Sequence, residues 1–454
     1  MWSSLRDWTL QRSPAQAIAG YYLFAVSISI LLLSIPAALR PGAQVSFMDT
    51  VFTAVSVVSD TGLGVFNVAD TYSVFGYCII MLALQFGGIG IMAMSTFFWL
   101  LVGRKIGLRE RRLIMADNNQ FALSGVVHLV KEILRITLLT ELIGGLVLML
   151  RFRSDYDTWG EAFLQGLFAS VSATTNAGMD ITGHSLVPYA HDYFVQLVTI
   201  GLIIFGAIGF PVLIELKAYL SSLRTKTPPF RFSLFTKLTT FTYFILLALG
   251  TAFIWLFENQ AFMKGMSWHE SLFYALFQSA TTRSAGLTTM DINAFTVPTL
   301  LLMSLFMFIG GSPNSVGGGI RTTTFAMNML FIFHFARGSR AIKVFKRELH
   351  PDDILKSFAI SLLAIVMCAA SVLAISVADK QHSLLAIVFE VCSAFGTVGL
   401  STGITPDLSL FSQGILTVLM FFGRIGLTTC LYLIGGGGLQ DPKLRYPVER
   451  IMTG

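Results

Sequence analysis

Four short apolar segments of the chain end in a glycine that follows small and hydroxylated residues. They read VVSDTGL (57–63), SATTNAGM (172–179), SATTRSAGL (279–287) and SAFGTVGL (393–400). Their glycines, spaced 116, 108 and 113 residues apart, are Gly62, Gly178, Gly286 and Gly399. Glycine permits backbone angles closed to other residues and adds no bulk, and backbone carbonyls can replace the hydration shell of an ion. Four such turns around one axis predict a carbonyl ring for a dehydrated monovalent cation. For any single glycine the alternative is close helix packing.

Each turn needs a short helix before it and membrane helices around it. The runs at 47–63, 160–179, 268–287 and 383–400 are too short or too polar to cross a bilayer, which takes about 20 apolar residues. We interpret them as re-entrant, because irregular backbone at membrane depth is tolerated only inside protein or along an aqueous path. Eight longer segments qualify as spanning helices: 17–39, 72–103, 128–150, 193–220, 235–257, 297–336, 354–378 and 412–435.

A second landmark repeats in register with the first. It reads FGGIG from Phe86, FGAIG from Phe205, FIGGS from Phe308 and FGRIG from Phe422. The two landmarks predict an all-α membrane protein of four helix–pore-loop–helix repeats in a pseudo-fourfold arrangement, with eight transmembrane helices and four re-entrant pore helices. The divisions are a cytoplasmic N-terminal segment (1–16), repeat 1 (17–117), repeat 2 (118–226), repeat 3 with an intramembrane loop (227–348), and repeat 4 with the C-terminal segment (349–454).

Composition and charge indicate a multi-pass membrane protein. Of 454 residues, 54% are hydrophobic and 12% are charged, whereas soluble proteins carry about 25% charged residues. Soluble nucleic-acid-binding and secreted disulfide-rich classes are thereby excluded. The linkers at 104–117, 214–237 and 337–356 carry sixteen Lys and Arg and six Asp and Glu, whereas the four linkers with the short runs carry six and fourteen. The positive-inside rule then places both termini in the cytoplasm.

Three polar features lie within apolar segments. Asp60 either faces the cation path or turns behind the loop to accept hydrogen bonds from backbone or hydroxyl groups. Residues 310–319 read GGSPNSVGGG, which disfavours a continuous helix and indicates a flexible gate or a static kink. Arg424 at membrane depth costs at least about 2.5–3.5 kcal/mol on insertion scales, so it faces the protein interior. An ion pair with Glu141 is one explanation for it.

On these residues the sequence resembles the Trk/Ktr/HKT superfamily of potassium transporters, most closely the bacterial Ktr-type membrane subunit. The resemblance runs from about residue 17 to residue 454. It is carried by the four glycine segments, by SAFGTVGLSTGIT (393–405) followed by FFGRIGLTT (421–429), and by RYPVERIMTG (445–454). It implies potassium uptake across the bacterial cytoplasmic (inner) membrane and a transporter rather than an enzyme.

The resemblance also implies which residues carry these roles. The selectivity filter that coordinates K⁺ would comprise Asp60, Thr61, Gly62, Asn176, Ala177, Gly178, Ser284, Ala285, Gly286, Thr397, Val398 and Gly399. Glycine at all four filter positions goes with potassium preference in this superfamily. The gate would comprise Gly310, Gly311, Ser312, Pro313, Asn314, Ser315, Gly317, Gly318, Gly319 and Arg424. Arg424 would either hydrogen-bond the gate loop or act as a positive barrier in the cavity beneath the filter, and Arg321 would belong to the same network.

The resemblance implies partners that the chain does not contain. They are a second copy in a homodimer and a cytoplasmic RCK/KTN-type ring that carries a regulatory nucleotide. We expect no cofactor in this chain, K⁺ as the transported ion, Na⁺ as an activator, and contact with lipid but not nucleic acid. The basic stretches 103–112 and 343–350 are interpreted as topology determinants, with docking of the ring as the alternative. The alternative function is a sodium- or proton-coupled symporter of the same fold, with Glu141 as its ion site.

Overall fold

The computed structural model describes residues 14–90, 93–94, 126–225, 230–339 and 341–435. The predicted N-terminal segment up to residue 13, the whole basic stretch 103–112 with its linker, and the C-terminal motif 445–454 lie outside the described residues. The described chain is helical apart from its loops and one two-stranded antiparallel hairpin, β1 (Lys343–Val344) and β2 (Arg347–Glu348). The predicted all-helical class is thus confirmed.

The helices are numbered in chain order. They are α1 (Pro14–Leu33), α2 (Phe47–Val58), α3 (Val68–Thr71), α4 (Val74–Ile89), α5 (Val126–Phe152), α6 (Trp159–Thr174), α7 (Tyr193–Ala207), α8 (Phe210–Thr225), α9 (Leu234–Glu258), α10 (Trp268–Thr281), α11 (Val297–Ile309), α12 (Thr322–Ala336), α13 (Pro351–Ala378), α14 (Leu384–Gly396), α15 (Leu410–Ile425) and α16 (Leu427–Gly435). Short 3₁₀ turns occupy 36–38, 187–189, 292–294 and 405–407.

Four helices of 12 to 16 residues, α2, α6, α10 and α14, fall in the predicted short runs. Each begins at a hydroxyl residue whose side chain accepts a hydrogen bond from the first turn: Ser46, Thr158, Ser267 or Ser383. Such caps satisfy amide groups that a helix start leaves unpaired. At α10 the cap is reciprocal, and hydrogen bonds from the Ser267 hydroxyl and amide hold the pKa of Glu270 below its ordinary value of 4.5. The caps therefore set where each short helix starts.

Four helices within the described residues, α1, α5, α9 and α13, are long and apolar enough to cross a membrane. The number becomes six if each of two bent pairs counts as one span. The total of eight spans stays a prediction. Helix α13 illustrates the lipid-facing character, because only 17% of its most apolar window is buried. Each long helix packs against the short helix that follows it in the chain.

The segments after the short helices are broken, which the sequence predicted only for the third. In each, the second landmark lies at the end of a helix. A glycine of that landmark with positive φ follows the helix. The glycines and their φ angles are Gly90 (96°), Gly209 (100°), Gly310 (71°) and Gly426 (90°). The axes of α7 and α8 differ by 105° and those of α15 and α16 by 102°. Since side-chain-bearing residues rarely adopt such angles, the landmark glycines stop the helices.

Candidate functional site

The four loops that follow the short helices bring their glycines to one place. All four have positive φ: 84° at Gly62, 64° at Gly178, 71° at Gly286 and 93° at Gly399. A Cβ added to each glycine would overlap the Cα of the next glycine. The four overlaps form a closed circuit. These separations are 3.0 Å from 62 to 178, 2.9 Å from 178 to 286, 3.2 Å from 286 to 399 and 3.1 Å from 399 to 62. Residues far apart in the chain thus form one ring.

Carbonyl oxygens occupy the spaces between neighbouring glycines. The oxygen nearest to an added Cβ is that of Ala177 at Gly62, Val398 at Gly286 and Thr61 at Gly399, and the Ala285 oxygen lies 3.1 Å from an added Cβ at Gly178. These four residues directly precede the ring glycines. Their side chains are fully buried. The ring therefore consists of backbone, with carbonyl groups crowded where a side chain would otherwise be.

The loops are held by the ends of their own short helices. The residue before each ring glycine donates its amide to a helix carbonyl, from Thr61 to Ser56 (2.9 Å), Ala177 to Ser172 (2.8 Å), Ala285 to Thr281 (2.9 Å) and Val398 to Ser393 (2.9 Å). The hydroxyls of three of these acceptors also donate to the carbonyl just past the glycine, at 2.7 Å from Ser56, 2.5 Å from Ser172 and 2.6 Å from Thr281. The Ser393 hydroxyl instead accepts from the Gly399 amide at 3.1 Å. These hydroxyls had no role in the sequence-based prediction.

The residue two positions before each ring glycine also has positive φ. The angles are 50° at Asp60, 52° at Asn176, 84° at Ser284 and 47° at Thr397. Such angles cost energy for residues other than glycine and persist only when the surroundings enforce them. All four side chains are fully buried. The tight turn into the ring is thus shared by the four loops, although its residue types differ.

The structure places the Asp60 side chain against Arg424. One carboxylate oxygen lies 3.2 Å from a guanidinium nitrogen, and both side chains are buried, with 0% and 9% of their surface exposed. The oxygens also lie where a Cβ on Gly87 of α4 would be, at 2.6 and 2.7 Å. Of the two orientations left open, the side chain turns behind the loop, and its partner is a guanidinium rather than a backbone or hydroxyl donor. The ion pair of Arg424 with Glu141 is wrong: Glu141 instead accepts a hydrogen bond from Gln85 at 2.6 Å.

The segment between α11 and α12 is non-helical, as its glycines and proline predicted. It is tied to the break between α7 and α8. Ser312 donates its amide to Ala207 (3.0 Å), Val316 donates to Gly206 (3.2 Å), and Asn314 accepts from Phe210 (2.8 Å). We call residues 310–321 the intramembrane segment. Its backbone groups find partners across the interface, which is how irregular chain survives at membrane depth.

The intramembrane segment contacts the ring loops through Ser284. The hydroxyl of Ser284 accepts from the Gly318 amide at 3.1 Å and donates to the Thr397 carbonyl at 2.7 Å. Two guanidinium groups also bind carbonyls of this segment. Arg321 donates to the carbonyl of Gly317, and Arg424 donates to the carbonyl of Val316. The predicted association of Arg424 and Arg321 with this segment is present in the structure.

Comparisons with known proteins agree with this architecture. A family model described as a cation transport protein, TrkH, matches residues 12–434. The Ktr system potassium uptake protein D of Bacillus subtilis is 53% identical over 442 residues, covering 97% of each chain. The Ktr system potassium uptake protein B is 33% identical in Bacillus subtilis, over 97% of each chain. The version from Vibrio alginolyticus is 32% identical over 94% of this chain and 92% of its own.

Among solved structures, the potassium transporter TrkH from Vibrio parahaemolyticus has a similar fold. Its TM-score is 0.72 over 93% of this chain and 85% of its own, at 18% sequence identity. At that identity the similarity concerns the fold.

Proposed function

The chain belongs to the TrkH family of cation transport proteins, and from that membership we propose that it is a multi-pass membrane transporter for potassium uptake. K⁺ passes through the ring of Gly62, Gly178, Gly286 and Gly399. The closed circuit of these glycines carries the proposal, because it leaves backbone carbonyls as the ligands of the path. Carbonyl rings of this kind coordinate dehydrated monovalent cations. The arrangement of the four repeats is pseudo-fourfold about the same path.

The intramembrane segment is the gate of this path. It lies against the ring loops, since the Ser284 hydroxyl joins Gly318 to the carbonyl of Thr397. The Arg424 guanidinium, which belongs to repeat 4, donates to the carbonyl of Val316 in the segment. Because the segment has no helical backbone bonds of its own to break, a small number of such contacts governs its position. Release of these contacts opens the path, and their formation closes it.

The site of action is the bacterial cytoplasmic membrane, with both termini on the cytoplasmic side. The protein works as a homodimer under the control of a cytoplasmic nucleotide-binding ring, and Na⁺ acts as an activator. Among the described residues, the hairpin β1–β2 offers a docking surface: Lys343, Lys346 and Arg347 are exposed on it. Basic residues at this face also suit anionic lipid headgroups. Loss of activation by the ring without loss of basal uptake, on changing Lys346 and Arg347 to Gln, distinguishes docking from lipid contact.

Uptake into liposomes tests the function directly. Purified protein in liposomes is expected to take up K⁺ and Rb⁺ well above empty liposomes, and Na⁺ much less. A flux carried by Na⁺ alone contradicts the selectivity assignment while leaving the fold intact. The coupled-symporter alternative predicts that an imposed Na⁺ or proton gradient drives K⁺ against its own gradient. One oxygen of Glu141, its candidate ion site, accepts a hydrogen bond from Gln85, and the other has no hydrogen-bond partner among the described residues.

A further inference from the structure

We propose that Asp60 is a positioning residue for the gate: its carboxylate anchors Arg424 and neutralises the guanidinium charge, so that Arg424 can hold the gate without repelling the cation. The proposal deepens the function proposed above and rests on it. It joins a loop of repeat 1 to a side chain of repeat 4 and to the gate of repeat 3.

Arg424 is the point where three parts of the chain meet. One nitrogen donates to the carbonyl of Val316 in the gate, and another donates to the carbonyl of Gly87 at the end of α4. The second of these nitrogens also lies 3.2 Å from the Asp60 carboxylate. A guanidinium offers five donors in a fixed plane and keeps its charge. It can therefore bind the gate and its two anchors at the same time.

Asp60 has no competing partner within the described part of the chain. Its side chain is fully buried, and neither carboxylate oxygen receives a hydrogen bond from another described residue. A buried carboxylate in that state is retained only by an opposite charge, and Arg424 supplies it. Conversely, the carbonyls of Gly87 and Val316 bring only partial charge to the guanidinium. Asp60 is thus the group that cancels the net positive charge of Arg424.

Gly87 belongs to the same unit. A Cβ at this position would lie 2.6 and 2.7 Å from the two oxygens of Asp60 and close to the carbonyl of Val58. The first glycine of the FGGIG landmark therefore makes room for the carboxylate, and its own carbonyl binds the guanidinium. Three residues that are far apart in the sequence, Asp60, Gly87 and Arg424, form one charge-neutral support next to the ring.

The neutral support matters because the gate touches the ring. Gly317 approaches Ser284 so closely that an added Cβ would lie 2.9 Å from the Ser284 Cβ. Val316, the residue that Arg424 binds, is adjacent to Gly317. An unpaired guanidinium at this depth, where little water screens it, repels a cation that leaves the ring. The pair cancels the charge of Arg424, so that of the two guanidinium groups bound to the gate only Arg321 still repels the cation.

The test is a double-variant cycle on the full chain, with Asp60→Asn, Arg424→Gln and both together. We measure the thermal midpoint in detergent and the Rb⁺ uptake per reconstituted transporter. In Asp60→Asn we expect a midpoint several degrees lower and uptake reduced at least tenfold, because a bare guanidinium remains. In the double variant we expect uptake to recover to at least about one third of that of the unaltered protein, because the unpaired guanidinium is removed together with its hold on the gate.

Glu258→Gln is the matched control, since Glu258 is a buried carboxylate whose partners, the Thr296 amide and hydroxyl, are neutral. We expect its uptake to stay within about twofold of the unaltered protein. A merely structural Asp60 would lower the midpoint but leave uptake per folded transporter unchanged, which overturns the proposal. So does a double variant whose losses are the product of the two single losses. If the unaltered protein takes up no Rb⁺, the proposed function fails, and the midpoints alone still decide whether the two residues form a pair.

Discussion

Replacing one ring glycine with alanine tests whether crowding at the ring, rather than backbone strain, controls transport. Gly399 has φ of 93°, and Gly403, in the same loop, has φ of 87°. Alanine at either position incurs the left-handed penalty of about 1–2 kcal/mol. The two positions differ in their surroundings. A Cβ on Gly399 would overlap the Thr61 carbonyl and lie 3.1 Å from the Cα of Gly62, whereas a Cβ on Gly403 has no described atom within 4 Å.

The overlap at Gly399 adds to the shared strain. Overpacking a rigid site typically costs about 1–3 kcal/mol, so Gly399→Ala is expected to destabilise the protein by about 2–5 kcal/mol and Gly403→Ala by about 1–2 kcal/mol. The first variant must also displace the Thr61 carbonyl. Losing about 1.4 kcal/mol of cation binding at that ligand lowers occupancy tenfold. We therefore expect at least a tenfold loss of K⁺ uptake in Gly399→Ala only.

The assay combines Rb⁺ uptake into liposomes, normalised to reconstituted protein, with thermal midpoints in K⁺ and in choline. A bound cation raises the midpoint by mass action, so K⁺ should stabilise the unaltered protein and Gly403→Ala, but not Gly399→Ala. Equal uptake by the two variants would refute the reasoning. Equal stabilisation of both variants by K⁺ would also refute it. Either result would mean that displacing the Thr61 carbonyl does not affect cation binding or transport.

Three further changes have defined outcomes. Deletion of 312–318 is expected to leave a leaky path, measured as K⁺ loss from loaded liposomes without activation; unaltered closed-state tightness would favour a static kink. Ser284→Ala removes the hydroxyl that binds Gly318, a contact worth about 1 kcal/mol, and should raise the same leak about fivefold, whereas an unchanged leak would leave the hydroxyl without a gating role. Glu258→Gln weakens the buried carboxylate that accepts from Thr299 at the start of α11; we expect about 1–3 kcal/mol of lost stability, seen as a lower midpoint with uptake per folded transporter retained.

Much of the architecture could be predicted because its signals are local. Gly62 and its three counterparts take positive φ in the loop just past a short helix, so their spacing predicted the loops directly. The capping residues Ser46 and Ser267 act within one helical turn. The hydroxyl groups that hydrogen-bond to the loops also follow a regular spacing in the sequence. Ser56 lies six residues before its glycine, as do its counterparts in repeats 2 and 4.

The remaining features depend on contacts between distant parts of the chain. The third segment has one more residue before its glycine than the second, so its serine no longer lies six residues before the glycine. Thr281, five residues before the glycine, makes the hydrogen bond that a serine hydroxyl makes in loops 1 and 2. Asp60 and Arg424 are 364 residues apart, and no property of either residue alone identifies the other as its partner. The breaks at Gly90, Gly209 and Gly426 were not predicted, because membrane helices often contain glycine without breaking. Only packing against neighbouring segments decides which glycine leaves the helix.

The circuit of ring glycines also sets the order in which the protein can be assembled. Gly62 and Gly399 are neighbours in the ring but 337 residues apart in the chain, and the same separation divides Gly87 from Arg424. At about 5–20 residues per second, roughly 20–70 s of synthesis separate the first loop from its last neighbour. During that interval Arg424 has not yet been synthesised, so Asp60 lacks its ion-pair partner. The ring of glycines is therefore complete only after the fourth repeat has been synthesised.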